Sequence, residues 1–327
     1  MPFLASPRAL RLAGVLGINR RNTELTLPLN VRARYPLVDD KVITKALCRE
    51  HGIPVPDTYA VVDRFGTVKH VGDLVADRSE FVIKPARGAG GRGVLVIAEH
   101  DGDRFVKSTG EVLSLAEVRY HVASTLQGLY SLGGLPDRAI IEYRVRPHPT
   151  FQPLSMGGTP DARIIVHRGE PLMAMLRMPT LSSGGCANLH QGGVGVGIHL
   201  DTGRTTYAVW KDRAVERHPD SGAGLCGVAV PNWGEQLAIA SRLARTLDLG
   251  YIGIDLVLDP ERGPLVLEAN ARPGLAIQIA NRTGLLSVLE RKNDRDSLQQ
   301  KPEEHPRRRI ITIPTPDVAA AAFRHGP

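Results

Sequence analysis

The chain has 327 residues, 42% of them hydrophobic and 23% charged, enough to bury a sizeable core and too apolar for wholesale disorder. No stretch approaches the roughly 18 uninterrupted apolar residues of a membrane span; Leu10 to Ile18 is interrupted by Arg11 and lacks the small-residue cleavage site of a signal peptide. The net charge of +7 is thinly spread, with +4 left once the last 37 residues are set aside, and aromatics are only 5%, which argues against nucleic acid and suits an anionic small substrate.

Residues 1–37 read as a short irregular leader with at most one strand. A helix is predicted from Asp39–Asp40, which cap its first turn; Val42, Ile43, Ala46 and Leu47 form its apolar stripe, and Gly52, Pro54 and Pro56 end it. Phe81–Lys84 and Gly93–Ile97 read as strands joined by a glycine-rich loop, and Leu115–Leu132 as a helix. A run of strands follows at Ala139–Val145, Ala162–His167, Pro171–Met178, Val194–Leu200 and Thr205–Trp210, separated by turns such as Arg168-Gly169-Glu170. Gly234–Leu249 is an amphipathic helix, and Ile252–Leu258 and Leu265–Asn270 are the last strands. From Arg291 to Pro327 the composition predicts a basic, disordered tail, in which Arg307–Arg309 beside Glu303 and Glu304 read as a solvated run rather than a nucleic-acid site. The pattern is α/β or α+β with antiparallel hairpins. Cys48, Cys186 and Cys226 are odd in number and far apart, which fits a reducing cytoplasm better than a disulfide framework.

Four groups carry chemistry. In Lys84-Pro85-Ala86-Arg87-Gly88-Ala89-Gly90-Gly91-Arg92-Gly93, glycines let the backbone approach a polyphosphate, with Lys84 and Arg87 supplying charge. No Gly-Lys-Ser/Thr follows, so it is not a Walker loop; read alone, a phosphate cradle and a flexible hairpin tip fit it equally. Asp255 lies on one predicted strand, Glu268 and Asn270 on the next, and residues two apart share a face. The connection from Asp259 to Pro264 and the pair 255/268 share a midpoint, so a symmetric hairpin sets Asp255 opposite Glu268. Two facing carboxylates and an amide suit Mg²⁺, against the plainer reading of a solvated sheet face. Arg177, with Asn188 and Gly192-Gly193 further on, offers a guanidinium and an amide for an oxyanion, although the segment by itself reads first as a surface loop. Glu142-Tyr143, at a strand end, offers a backbone hinge for a purine, which the sequence alone does not demand.

In this order the features resemble the ATP-grasp superfamily, most of all its RimK-type α-L-glutamate ligase-like members, over Leu16 to Leu289. The residues that carry the resemblance are Gly17 to Asn22, Asp39-Asp40-Lys41 through Lys45, Gly52 to Pro56, Val82 to Pro85 with its loop, Glu142-Tyr143, Asp161-Ala162-Arg163, Asn188 with Gly192-Gly193, Gly253-Ile254-Asp255 and Leu267 to Gly274. The resemblance implies an α+β ATP-grasp fold over 38–290, with a lid lobe of about 60–138 and the remainder a core lobe, and ATP between them. Lys41 and Lys84 would contact ATP, and Arg87, Gly88, Gly90, Gly91 and Gly93 would close over its phosphates. Glu142 and Tyr143 would form the adenine hinge, and Asp161 would meet the ribose. Arg177 and Asn188, with Cys186 and Ala187 beside them, would face the γ-phosphate and the carboxylate under attack, making Arg177, Asn188 and Lys84 the catalytic set. Asp255, Glu268 and Asn270 would hold Mg²⁺, or Mn²⁺ in its place.

The implied activity is an ATP-dependent, ADP-producing carboxylate–amine ligase that adds an amino acid such as glutamate to an acidic peptide or protein, in the cytoplasm, with neither nucleic acid nor membrane as partner. Two departures qualify it. The domain that usually precedes the nucleotide lobes is largely missing from the 37 residues ahead of the first predicted helix, so the acceptor site is expected to be open or completed by a second copy or a partner protein. Ser182 to Asn188 also lacks the Arg that precedes Asn in the ribosomal-protein modifying enzymes. The competing readings are a dipeptide or D-alanine-type small-molecule ligase and a nucleotide-binding regulatory protein without turnover.

Overall fold

Alternating apolar residues and tight turns build two antiparallel sheets. The structure, a computed structural model, describes residues 6–88, 90–154 and 156–299. The smaller sheet has the order β1-β6-β2-β3-β4-β5, from β1 (Thr58–Val62), β2 (Phe81–Pro85), β3 (Leu95–Asp101), β4 (Arg104–Lys107), β5 (Val112–Ser114) and β6 (Ala139–Glu142). The larger has the order β11-β10-β9-β8-β7-β12-β13. Its strands are β7 (Asp161–His167), β8 (Glu170–Met178), β9 (Val194–Ile198), β10 (Thr205–Trp210), β11 (Arg213–Val215), β12 (Tyr251–Asp259) and β13 (Gly263–Asn270).

Among the described residues four helices are ten residues or longer. In α1 (Lys41–Glu50) the Asp40 side chain accepts from the Val42 N–H, satisfying one of the open donors of the first turn. In α2 (Leu115–Leu126) Ser114 and Glu117 close a capping box. The helix stops six residues before the predicted end because Gly128 turns the chain at φ +86°, where a Cβ would sit 2.3 Å from the Leu135 carbonyl oxygen. α3 (Trp233–Leu247) ends at Asp248 in the left-handed region, and α4 (Leu285–Gln299) is the last described element. Contacts divide the chain into Met1–Leu289, which holds both sheets, and Glu290–Pro327. The described start of the expected tail is thus helical, while residues 300–327, with Arg307–Arg309, lie outside the described residues. Among the described residues no helix is long and apolar enough to cross a membrane.

The larger sheet is apolar on both faces. Ile164, Val166, Ala174, Leu176, Ile252 and Ile254 face α3, in one cluster with Leu243 and Leu247. Their neighbours Ile165, Met173 and Tyr251 point the other way, against Leu16, Leu25, Ile277 and Leu285, as period-two alternation requires. The leader therefore helps to cover one sheet face. It does so as short helical turns, and in place of the expected strand Asn30 makes a single bridge to Leu249. Two bonded pairs of amides tie the leader down: Asn30 donates to the Tyr251 carbonyl and accepts from the Tyr251 N–H, and Gln278 does the same for Leu16.

Candidate active site

The face that is apolar beneath the leader becomes charged at its other end. Along β7 the residues two apart are Ile165, Arg163 and Asp161; along β8 they are Met173, Met175 and Arg177; along β12 they are Gly253, Asp255 and Val257. Register sets Asp161 opposite Arg177, and Asp255 opposite both Arg163 and Glu268. The hairpin that makes the last pair is not symmetric. Asp259 faces Gly263, one position tighter than predicted, and an extra residue at Leu267 shifts the ladder back, so that Leu256 faces Val266 while Asp255 faces Glu268.

These residues floor a cleft of about 860 Å³ whose roof is the smaller sheet and its glycine loop. At its centre the Arg177 guanidinium, 7% exposed, donates from Nε to Asp161 (2.6 Å) and from Nη2 to Asp255 (2.7 Å). Arg163 grips Asp255 bidentately at 2.7 and 2.6 Å. Burial would raise the Asp255 carboxyl, but Arg163 and Arg177 outweigh it and hold Asp255 below the usual range. For Asp161 burial wins over Arg177, with Asp255 adding to it, and its carboxyl is pushed up to about 6.

A second charged group lies under the roof. Glu142, fully enclosed, accepts from Lys84 at 2.6 Å on one oxygen and from Lys45 on the other. Burial opposes its charge, and the two ammonium groups overcome it, lowering its pKa. Burial likewise pushes the Lys45 amine down to about 8, against the pull of Glu142. Lys41, on the first turn of α1, donates to the Gly88 carbonyl at 2.6 Å and lies 3.9 Å from Glu268. Tyr143 donates to Asp259 at 3.0 Å beneath the Arg262 guanidinium.

Of the residues singled out from sequence, the cleft is lined by Lys84, Gly88, Gly90 and Gly91 from the roof side and by Lys41 from the start of α1. Glu142, Tyr143, Asp161, Arg177 and the Cys186-Ala187-Asn188 segment line it too, together with Asp255, Glu268 and Asn270. Arg87 and Gly93 do not line it: Arg87 turns to Asp40, and Gly93, at φ +72°, packs on the Tyr130 ring, which a Cβ would strike at 2.4 Å. Lys45 and Arg163 carry part of the resemblance but received no role in the site from the sequence, and neither did Gln191. Two had a signal: Lys45 is one helical turn beyond Lys41, and Arg163 is two strand positions beyond Asp161, hence on the same faces. Gln191, which donates to the Gly90 carbonyl at 2.8 Å across the two loops, had none.

Asp255, Glu268 and Asn270 line the same cleft and offer side-chain oxygens of the kind a hard cation takes, with both Asp255 oxygens engaged by Arg163 and Arg177 in this structure. The Asn270 Nδ2 is buried without a partner, as expected of a site whose remaining partner arrives with a ligand. Among the described residues no three His, Cys, Asp or Glu side chains cluster closely enough to cage a metal alone. The set fits a cation shared with phosphates, as Mg²⁺ prefers.

Residues 20–293 match the family described as sugar-transfer associated ATP-grasp. The chain belongs to that family, and its α+β fold is the ATP-grasp fold. The superfamily expectation holds; the RimK-type branch is not confirmed. No curated protein sequence matches the chain. Among solved structures it is similar to the ATP-grasp ligase PsnB complexed with minimal precursor, Mg and ADP, at 14% identity and TM-score 0.43, over 82% of this chain and 62% of that one. It is similar to the D-alanine-D-alanine ligase from Coxiella burnetii at 16% identity and TM-score 0.43, over 82% and 62%. To the D-cycloserine synthetase DcsG the values are 17% and 0.44, over 80% and 71%. The chain thus spans about three fifths of the length of PsnB, and the family assignment rests on the family match.

Proposed function

We propose that the chain is an ATP-dependent carboxylate–amine ligase that joins an amino acid such as glutamate to an acidic peptide or protein, with ADP and phosphate as products. Family membership supports ATP as the nucleotide. The observation that carries the ligase reading is the Arg177 guanidinium, buried between Asp161 and Asp255 yet open to the cleft. A nucleotide sensor has no need of a cation reserved for a developing oxyanion, whereas a ligase does.

Lys84, Lys41 and the amides of the glycine loop hold the triphosphate, and Glu142 fixes Lys84 from behind. Asp255, Glu268 and Asn270 are the residues that would hold Mg²⁺ or Mn²⁺, which when bound neutralises the phosphates. A carboxylate oxygen attacks the γ-phosphorus, the bond to the β-phosphate oxygen breaks, and ADP leaves. An amine then attacks the acyl carbon, loses a proton, and expels phosphate. Arg177 and Asn188 face the carbonyl oxygen as its charge grows; the protein supplies position and charge rather than covalent chemistry. The three thiols are unpaired, which suits the cytoplasm.

The test is ADP release with Mg²⁺ and ATP across a panel of amino acids, with and without acidic peptides. Amino sugars join the panel because the family is described by its association with sugar transfer. ADP release that requires both an acid and an amine is expected; the absence of any such pairing overturns the ligase reading.

A further inference from the structure

The N-cap of α1 does more than cap. A serine would satisfy the Val42 N–H as well as Asp40 does. Asp40 is a carboxylate, 2% exposed, and its second oxygen serves two guanidinium groups: Arg87 Nε at 3.1 Å and Arg138 Nη2. Arg87 is the first residue of the glycine loop proper, and Arg138 immediately precedes β6. Neighbouring Asp137 accepts from the backbone N–H of both Arg87 (2.9 Å) and Arg138 (2.8 Å). Lys41 completes the junction. Its N–H donates to the Ala86 carbonyl at 3.0 Å and its ammonium to the Gly88 carbonyl at 2.6 Å.

α1 belongs with the larger sheet, where Val38, Lys41, Thr44 and Lys45 line a small cavity with Val266 to Ala269. Arg87 and Arg138 belong to the smaller sheet. We propose that Asp40 is the positioning residue of the glycine loop: through Arg87 and Arg138 it fastens the loop's root to the helix end that carries Lys41, so that the root and Lys41 form one preformed unit from which the rest of the loop closes on a triphosphate. Asp40 does not line the cleft, so its effect passes through the loop. Buried ionic partners of this kind fix geometry that the glycines, left alone, would not hold. The inference rests on the nucleotide-binding reading above.

The test separates capping from fastening. Asp40→Ser keeps the cap and loses both ion pairs; Arg138→Met loses one pair and leaves the helix untouched; Arg138→Lys keeps the charge. Each full-length protein is titrated by calorimetry with a non-hydrolysable ATP analogue and Mg²⁺, and cleavage in residues 86–94 is followed by limited proteolysis with and without the analogue. Asp40→Ser and Arg138→Met are expected to bind about tenfold more weakly than wild type, the scale of losing a residue that orients a binding group, and to stay cleavable with the analogue bound. Arg138→Lys is expected to recover most of the affinity, and the double variant Asp40→Ser/Arg138→Met to bind no worse than either single one. Wild-type affinity and protection in Asp40→Ser, or additive losses in the double variant, overturn the positioning role. Failure of the wild type to bind the analogue overturns the nucleotide reading itself. If Asp40→Ser does not fold, Arg138→Met and Arg138→Lys decide the matter.

Discussion

Arg177 answers two demands at once. In the proposed reaction it is the cation aimed at the developing oxyanion, and in the structure it is the counter-charge for Asp161 and Asp255. Arg177→Ala leaves two buried carboxylates with less compensation, so unfolding free energy should fall by about 3–5 kcal/mol, the usual loss when one member of a buried ion network is removed. Denaturant titration checks this, and an unchanged midpoint would show the network to be solvated. Because Ala confounds stability with rate, Arg177→Lys is the kinetic probe. It retains charge but not the two-armed contact, and ligation should fall by about two orders of magnitude with ATP affinity held within a few-fold. Glu268 is less enclosed, with Lys41 only at 3.9 Å; Glu268→Gln should fold normally and lose turnover, since a neutral amide binds Mg²⁺ poorly. Near-normal activity at ordinary Mg²⁺ would remove Glu268 from the metal site. Lys45 gives a pH signature. Burial pushes its amine down to about 8 in the fold, from an ordinary 10.5. Between those values the unfolded chain holds a proton that the folded one lacks, so stability from this group rises with pH across the window and is at its lowest below it. The stability of wild type relative to Lys45→Met should therefore increase from pH 7.5 to 9.5; a flat difference would mean that burial does not shift Lys45.

At the level of the elements, the β12–β13 hairpin shows what sequence arithmetic reaches. Pairing Asp255 with Glu268 needed only alternation and a midpoint, and the pair is present. The tighter turn, at Gly263 with φ +71°, and the bulge at Leu267 are two opposite offsets of one residue, and nothing in the composition marks the second. The long strands β7, β8 and β12 were readable because 7 to 9 residues suffice for a periodic pattern. β4, β5 and β11, of 3 or 4 residues, are too short to show one, and β1 and the leader's true form depend on partners far along the chain. Most of the site was readable for a related reason: chemistry-bearing residues sit at fixed short offsets on those long strands. The Asp40 junction was not, because it joins residues 40, 87 and 138, which no local window contains. The glycine loop carries its own prediction. Beyond its fastened root the loop is held from outside through the Gly88, Gly90 and Gly93 carbonyls, with glycines at positive φ between them, so without nucleotide it should be cut readily by protease and become resistant with an ATP analogue. Equal cutting in both states would mean that the loop does not close on phosphates.

Over the whole molecule, charge is concentrated where a polyanion would enter. The cleft is lined by Lys41, Lys84, Arg92, Lys107, Arg144, Arg163 and Arg177 against Glu142, Asp161, Asp255 and Glu268, seven positive charges less four, or +3, out of +7 for the chain. Such a field should steer a nucleotide toward the cleft and be screened by salt. Stopped-flow association of a fluorescent ATP analogue should slow by several-fold between 0.05 and 0.5 M salt, these being the assay's limits, while the Debye length shrinks from about 14 to 4 Å. A salt-independent on-rate would show that the cleft's own acids cancel the field.

The amide pairs that hold the leader also dictate a birth order. Leu16 waits for Gln278, 262 residues later, and Asn30 for Tyr251, 221 residues later. At a synthesis rate of about 5–20 residues per second, Leu16 and Leu25 remain uncovered for roughly ten to fifty seconds before their partners leave the ribosome. The part of the sheet face they cover cannot close until residues 251–289 have been made, so this segment is assembled long after its own synthesis. A nascent chain stalled before residue 251 should expose these leucines to chaperones, and one stalled after 289 has emerged should not.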